Sequence, residues 1–201
     1  MTTFRARLPY AEAAKALLRD TLFDAAGELL RDKGWSDLTM ADVAAAAGVS
    51  RQTLYKEFGS RPAFAQEYIL REVDRFLSAV EEAVRANALD PHAAVTAAFE
   101  VFLAAAADQP LVKAIVAGDG GDGLLNLVTN QAGPVLSEAT TRLTACLKAT
   151  WPQVEETGLR FVAENLVRLA VSHAASPTAQ PARGVAAVFG PYLDSLVTAQ
   201  R

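Results

Sequence analysis

Cysteine is almost missing from this 201-residue chain: Cys146 is the only one. One copy can therefore build neither a disulfide nor a thiolate metal cluster, and a reducing cytoplasm is the expected setting. Histidine is nearly as scarce. His92 and His173 lie far apart and outside any His-Glu-x-x-His spacing, so no metal or other cofactor is expected. No Gly-x-Ser-x-Gly elbow and no local Cys/His signature occurs, which leaves an enzyme reading without a nucleophile. No apolar run approaches the ~20 residues of a membrane span, and Arg5 and Arg7 near the start are not followed by the apolar stretch of a signal. No membrane partner is expected. The stretch Gly118 to Gly123 is glycine-rich, but it lacks both the Gly-Lys-Ser/Thr ending of a phosphate loop and the terminal Glu of a calcium loop. It reads as a flexible inter-helix turn that could gate a pocket.

What the chain does have is apolar side chains, about half of all residues, recurring at steps of three and four. That period favours helix packed on helix, so an all-α fold is expected. A helix over 11–33 presents Leu18, Leu22, Ala25 and Leu29 on one face, with Gly34 as its stop. Arg61-Pro62 opens a long fourth helix reaching about Asn87, with Phe64, Tyr68, Val73, Phe76, Leu77, Val80 and Val84 inside. Further helices are expected at about 91–107, 110–117, 124–132, 134–150, 155–174 and 184–199, with Gly133 as one of the breaks. The domains are drawn at 1–60 and 61–201, joined by the long linker helix.

Between these landmarks lies the most informative segment, 38–64. Thr39 and Asp42 form a capping box that starts a short helix ending at Gly48. Gly48 supplies the positive φ of a tight turn, Val49 an apolar anchor and Ser50 a capping hydroxyl, so a second short helix, 51–58, begins at a set angle. Leu54 and Phe58 face inward and leave a polar outer side. This is helix-turn-helix grammar. The net charge of −4 argues weakly against a nucleic-acid partner, because residues 1–70 hold nine basic and nine acidic groups while the acid surplus sits in 71–201. Within 50–61, Arg51, Lys56 and Arg61 face the single acid Glu57.

Thr39, Gly48-Val49-Ser50, Thr53-Leu54-Tyr55, Phe58, Ser60 and Arg61 together resemble the N-terminal signature of the TetR family of regulators. The resemblance covers the first quarter to third of the chain. It implies that Arg51, Gln52 and Thr53, with Ser50 at the cap before them, approach base edges in the major groove, and that Thr39, Tyr55, Lys56 and Arg61 grip phosphate. The side-chain chemistry is compatible: Arg forks onto guanine, Gln onto adenine, and Tyr, Lys and Arg donate to phosphate. Glu57 departs from the pattern, standing where many relatives carry His or Asn.

For the remainder, the family implies a ligand-binding and dimerisation domain. Recognition helices must enter successive major grooves about 34–36 Å apart, which calls for a two-fold homodimer on double-stranded operator DNA. The dimer interface is expected from Leu159, Val162, Leu166, Leu169, His173, Val188 and Tyr192, joined by Val185 and Val197. A cavity for a small apolar effector is expected from Phe99, Phe102, Leu103, Ile115, Leu124, Leu127 and Leu143. Asn130, Glu164 and Asn165 are polar residues within apolar helical stretches, read as interface hydrogen-bonders or ligand-orienting groups. The Ala-rich composition and a Gly-rich break ahead of a Pro-started helix also look like actinobacterial family members that respond to long-chain fatty acids. The expected function is a repressor released from its operator by a fatty acid or related lipid. The alternatives are a multidrug-sensing regulator of an efflux gene and a helical protein-interaction module.

Overall fold

The computed structural model describes residues 9–108, 132–176 and 179–199, and among these all regular structure is helical. The elements are α1 (Tyr10–Asp32), a 3-10 turn (Trp35–Asp37), α2 (Met40–Ala46), α3 (Arg51–Phe58), α4 (Arg61–Ala86), α5 (Pro91–Asp108), α6 (Ala132–Thr150), α7 (Glu156–Ala175) and α8 (Pro181–Thr198). The expected helices 110–117 and 124–132, and the Gly118–Gly123 turn, lie outside the described residues. Among the described residues no helix is long and apolar enough to cross a membrane.

The chain divides into two compact units, Met1–Tyr68 and Ile69–Arg201. The division falls inside α4, beyond the 60/61 boundary drawn from the sequence. The reason is aromatic packing: Phe64 and Tyr68, on the first two turns of α4, belong to the first unit's core. Phe58 and Phe64 meet edge to face at 4.9 Å between centroids, and Phe23 stands 5.2 and 5.3 Å from them. Around these rings Leu22, Leu38, Val43 and Leu54 are fully buried. Each such Leu contributes about 1.5–3 kcal/mol over an exposed one. Gly34 does not stop α1 through a left-handed conformation, because its φ is −68° and Lys33 is already extended. Gly48 (φ +69°) and Gly59 (φ +75°) do adopt positive φ, ending α2 and α3.

In the second unit, the C-terminal part of α4 and helices α5 to α8 share one core, with Val84, Val95, Phe99, Leu147, Trp151, Val154, Leu159, Val162 and Leu193 buried. Asp90 caps α5 by accepting from the Ala93 amide at 3.0 Å, ahead of Pro91 in the first turn. Arg142 of α6 ties down α4, donating to Glu81 (2.8 Å) and Asp74 (2.7 Å). The bond to Glu81 is the main cause that holds its guanidinium above its ordinary pKa. Cys146 is buried, which pushes its thiol up, and its Sγ–H donates to the Glu81 carbonyl at 3.6 Å. That is an inert packing thiol. α6 begins at Ala132, one residue before the expected break at Gly133, and what precedes it lies outside the described residues. The last helix begins at Pro181, three residues before the expected start, with proline in the first turn.

Candidate DNA-binding surface and effector cavity

The geometry of the first unit starts from the turn at Gly48. The Thr39 hydroxyl accepts from the Asp42 amide at 3.2 Å, and Asp42 accepts from the Thr39 amide at 2.9 Å, so both ends of the capping box are closed. The Thr39 amide bond, first among several contacts that include Lys33 at 3.2 Å, holds the Asp42 carboxyl below its usual 3.8. After the turn the Ser50 hydroxyl accepts from the Thr53 amide at 3.0 Å and starts α3. With Leu54 and Phe58 buried, α3 presents Gln52 and Lys56 on its opposite side and Arg51 at its N-terminal end to solvent, flanked by partly exposed Thr53 and Tyr55. Arg51 stacks its guanidinium over the Tyr55 ring, 5.3 Å from the centroid. The result is a short, capped helix with a basic, hydrogen-bonding outer face, the shape and chemistry of a major-groove reader.

The second unit holds a cavity of about 110 Å³. Its wall is drawn from α4 (Glu72, Val73, Phe76, Leu77, Val80), α5 (Val95, Ala98, Phe99, Phe102), α6 (Leu136, Ala139, Leu143) and α7 (Leu166, Val167, Ala170, Val171). Glu72 is the only ionisable residue among those lining residues, and Arg71 (3.2 Å) and Arg75 (3.7 Å) neutralise it. Such a wall suits hydrocarbon and gives a charged molecule little to hold. On the outside of this unit, Phe161 of α7 and Tyr192 of α8 are exposed and meet edge to face at 6.2 Å, and Val188 lies one turn before Tyr192.

Comparison with known proteins agrees with this layout. The family model described as "Bacterial regulatory proteins, tetR family" matches residues 22–68. Another, "Bacterial Tetracyclin repressor, C-terminal domain", matches residues 90–191. The HTH-type transcriptional regulator AlkX of Mycobacterium tuberculosis is 40% identical over 171 residues, 85% of this chain and 81% of that one. The chain belongs to the TetR family. Among solved structures, the TetR family repressor AlkX from Dietzia sp. strain DQ12-45-1b, implicated in biodegradation of n-alkanes, is 35% identical with a TM-score of 0.67. The match covers 89% of this chain and 96% of that one. A TetR-family regulator from Streptomyces coelicolor, 20% identical with a TM-score of 0.57 over 89% of this chain and 99% of that one, shares the fold.

In this TetR regulator the sequence-expected DNA residues fall into two groups. Arg51, Gln52 and Lys56 are exposed on α3, and Thr53 and Tyr55 are partly exposed beside them. Thr39, Ser50 and Arg61 are engaged by the protein itself. The Thr39 hydroxyl donates to Asp42 at 2.8 Å while accepting from its amide, and Ser50 pairs with the Thr53 hydroxyl at 2.8 Å. Arg61 donates to the Trp35 carbonyl and stacks over the Trp35 ring at 4.7 Å. Glu57 turns away from the outer face and pairs with Arg19 at 2.8 Å.

Of the expected cavity residues, Phe99, Phe102 and Leu143 line the wall, while Leu103 packs against the core beside it and Ile115, Leu124 and Leu127 lie outside the described residues. The α4 stripe from Val73 to Val80 was legible as an inner face but not as a cavity wall. The expected interface needs more correction. Leu159, Val162 and Leu166 are buried inside their own protomer, as are Val185 and Val197. Leu169 packs against the same core, and His173 stands edge-on to the Phe99 ring at 5.8 Å. The reason is that α7 packs against α5, α6 and α8, so its most apolar stripe is consumed within the unit. Val188 and Tyr192 remain exposed, and Phe161, which the sequence reading missed, joins them. Asn165 donates to the Phe161 carbonyl and Glu164 pairs with Arg168, both within α7; Asn130 lies outside the described residues.

Proposed function

We propose that this regulator is a homodimeric repressor, held on a palindromic operator by α3 and released when a small apolar molecule, such as a fatty acid or a related lipid, occupies the cavity of the second unit. The observation that carries the reading is the cavity wall, sixteen residues of which fifteen are Ala, Val, Leu or Phe. A ligand there exchanges water for hydrocarbon contacts, worth about 25 cal/mol per Å² of apolar surface buried. The implication of the Dietzia relative in n-alkane biodegradation supports a hydrocarbon or its oxidation product as the signal. Helix α4 belongs to both units: Phe64 and Tyr68 sit in the first core, while Val73, Phe76 and Val80 line the cavity. A ligand that favours one setting of α4 shifts the population toward it by no more than its differential affinity for the two settings. The exposed Phe161, Val188 and Tyr192 supply the apolar centre of the dimer face.

The test begins with a duplex that the protein selects from a random-sequence library, used as an anisotropy probe. Long-chain fatty acids, alkanes and alcohols are titrated into the complex, with Ala139→Phe as a cavity-filled control. Release by one of these molecules in wild type, and no release from a DNA-competent Ala139→Phe variant, is the expected pattern. Equal release from both would place the effector elsewhere. A monomeric mass in solution for wild type would remove the dimer from the account, and Tyr192→Asp is expected to lower the mass of the free protein to one chain.

A further inference from the structure

We propose that Arg19 of α1 is a positioning residue for operator binding, which keeps the Glu57 carboxylate turned away from the DNA backbone. Glu57 is an acid on the very helix that reads DNA, and it would repel phosphate if it faced outward. Instead its side chain retains 12% exposure and its Oε1 accepts from Arg19 Nη1 at 2.8 Å. Lys15 is a weaker second partner at 3.5 Å, on a side chain 61% exposed and so screened by water.

The same guanidinium does three further things. Its other terminal nitrogen bonds Glu67 of α4. Its planar face covers the Phe58 ring at 4.7 Å and reaches Phe23 at 5.8 Å. One half-buried group thereby joins α1, α3 and α4 within the first unit. Glu57 sits at the C-terminal end of α3, so this hold fixes where its carboxylate points. A lysine could not reproduce the arrangement, because a single ammonium lacks the planar fork that serves two carboxylates while stacking on a ring. Arg19 is proposed to act through Glu57 and not by touching DNA.

The experiment is a double-mutant cycle read as affinity for the selected duplex, across a salt series, with thermal melting of each variant in parallel. Arg19→Met is expected to weaken binding about tenfold well below its melting temperature, and Glu57→Gln to change it little. Removing the charge should then rescue the lesion: Arg19→Met/Glu57→Gln is expected to bind within about threefold of Glu57→Gln alone. Freeing the Glu57 charge should also flatten the salt dependence of Arg19→Met, and the double variant should restore the slope. Arg19→Lys, measured alone and in the Glu57→Gln background, carries the same decision should Arg19→Met fail to fold, and alone it is expected to recover only part of the affinity. A loss that is additive with Glu57→Gln, or an Arg19 variant that is folded and binds like wild type, overturns the proposal.

Discussion

Gly190 of α8 packs directly against His92 of α5, so adding one methyl group there has a definite cost. A Cβ built on Gly190 would lie 2.6 Å from His92 Nδ1 and 3.0 Å from both His92 Cγ and Cβ. A change of the His92 χ1 rotamer moves Nδ1 and Cγ, but Cβ is fixed by the backbone, so the helices must part or strain. Overpacking of this kind costs about 1–3 kcal/mol. Against it, replacing glycine by alanine inside a helix gains about 1 kcal/mol. Gly190→Ala should therefore destabilise by about 0–2 kcal/mol, lowering the melting temperature by up to about 8 °C for a chain of this length. The sharper test is the change of sign. In a His92→Gly background the obstructing atoms are gone, and the same Gly190→Ala change should stabilise by up to about 1 kcal/mol. Urea denaturation of the four proteins, with equal slopes to license the comparison, gives both values. If Gly190→Ala has the same effect with and without the His92 side chain, close packing at this crossing is not what selects glycine.

Gly48 differs from Gly190 because nothing lies within 4 Å of a Cβ added to it, yet its φ is +69°. Gly48→Ala should cost about 1–2 kcal/mol from backbone strain alone, and Gly48→Asn less, as measured by thermal melting. Asp42 titrates below its usual 3.8 in the folded state, so the native protein binds fewer protons than the unfolded chain in that range. Its contribution is therefore present above its unfolded pKa and fades as pH falls through the lower folded value. An NMR titration should show the depressed midpoint, and Asp42→Asn should abolish this part of the acid dependence. Arg51→Ala should weaken binding to the selected duplex by roughly 1–3 kcal/mol and relax base preference at one position, whereas Lys56→Ala should weaken all sequences alike and reduce the salt slope by about one. Arg61→Ala should act first on stability, since its guanidinium is held by Trp35. A melting temperature unchanged by Arg61→Ala, together with weaker DNA binding, would return it to the phosphate contacts.

The helix-turn-helix was readable at nearly every position because its determinants are local. A capping box needs Thr39 and Asp42 three residues apart, a turn needs a residue tolerant of φ +69°, and a short helix needs a hydroxyl before it; each operates through neighbours in the chain. The same local logic, applied to Pro181 as it was to Pro62, would have placed the start of the last helix correctly. Gly34 and Gly133 show its limit. Glycine permits a break without fixing where it falls: α1 already ends at an extended Lys33, and Gly133 lies in the first turn of α6.

Which side of an apolar helix faces its own core and which faces a partner is not a local property. Leu159, Val162 and Leu166 have the spacing of an interface, and the packing of α5, α6 and α8 around α7 turns them into core, leaving Phe161 outside. The partners of Arg19, Arg61 and Glu57 were likewise open in the bare chain, because a charge goes to whichever partner the fold brings within reach. Backbone signals and hydrophobic period lie within a few residues of one another and so survive in the bare chain. Partner choice among side chains depends on contacts between residues tens of positions apart, as in Arg19 with Glu57 or Arg142 with Glu81, and these exist only once the helices have packed.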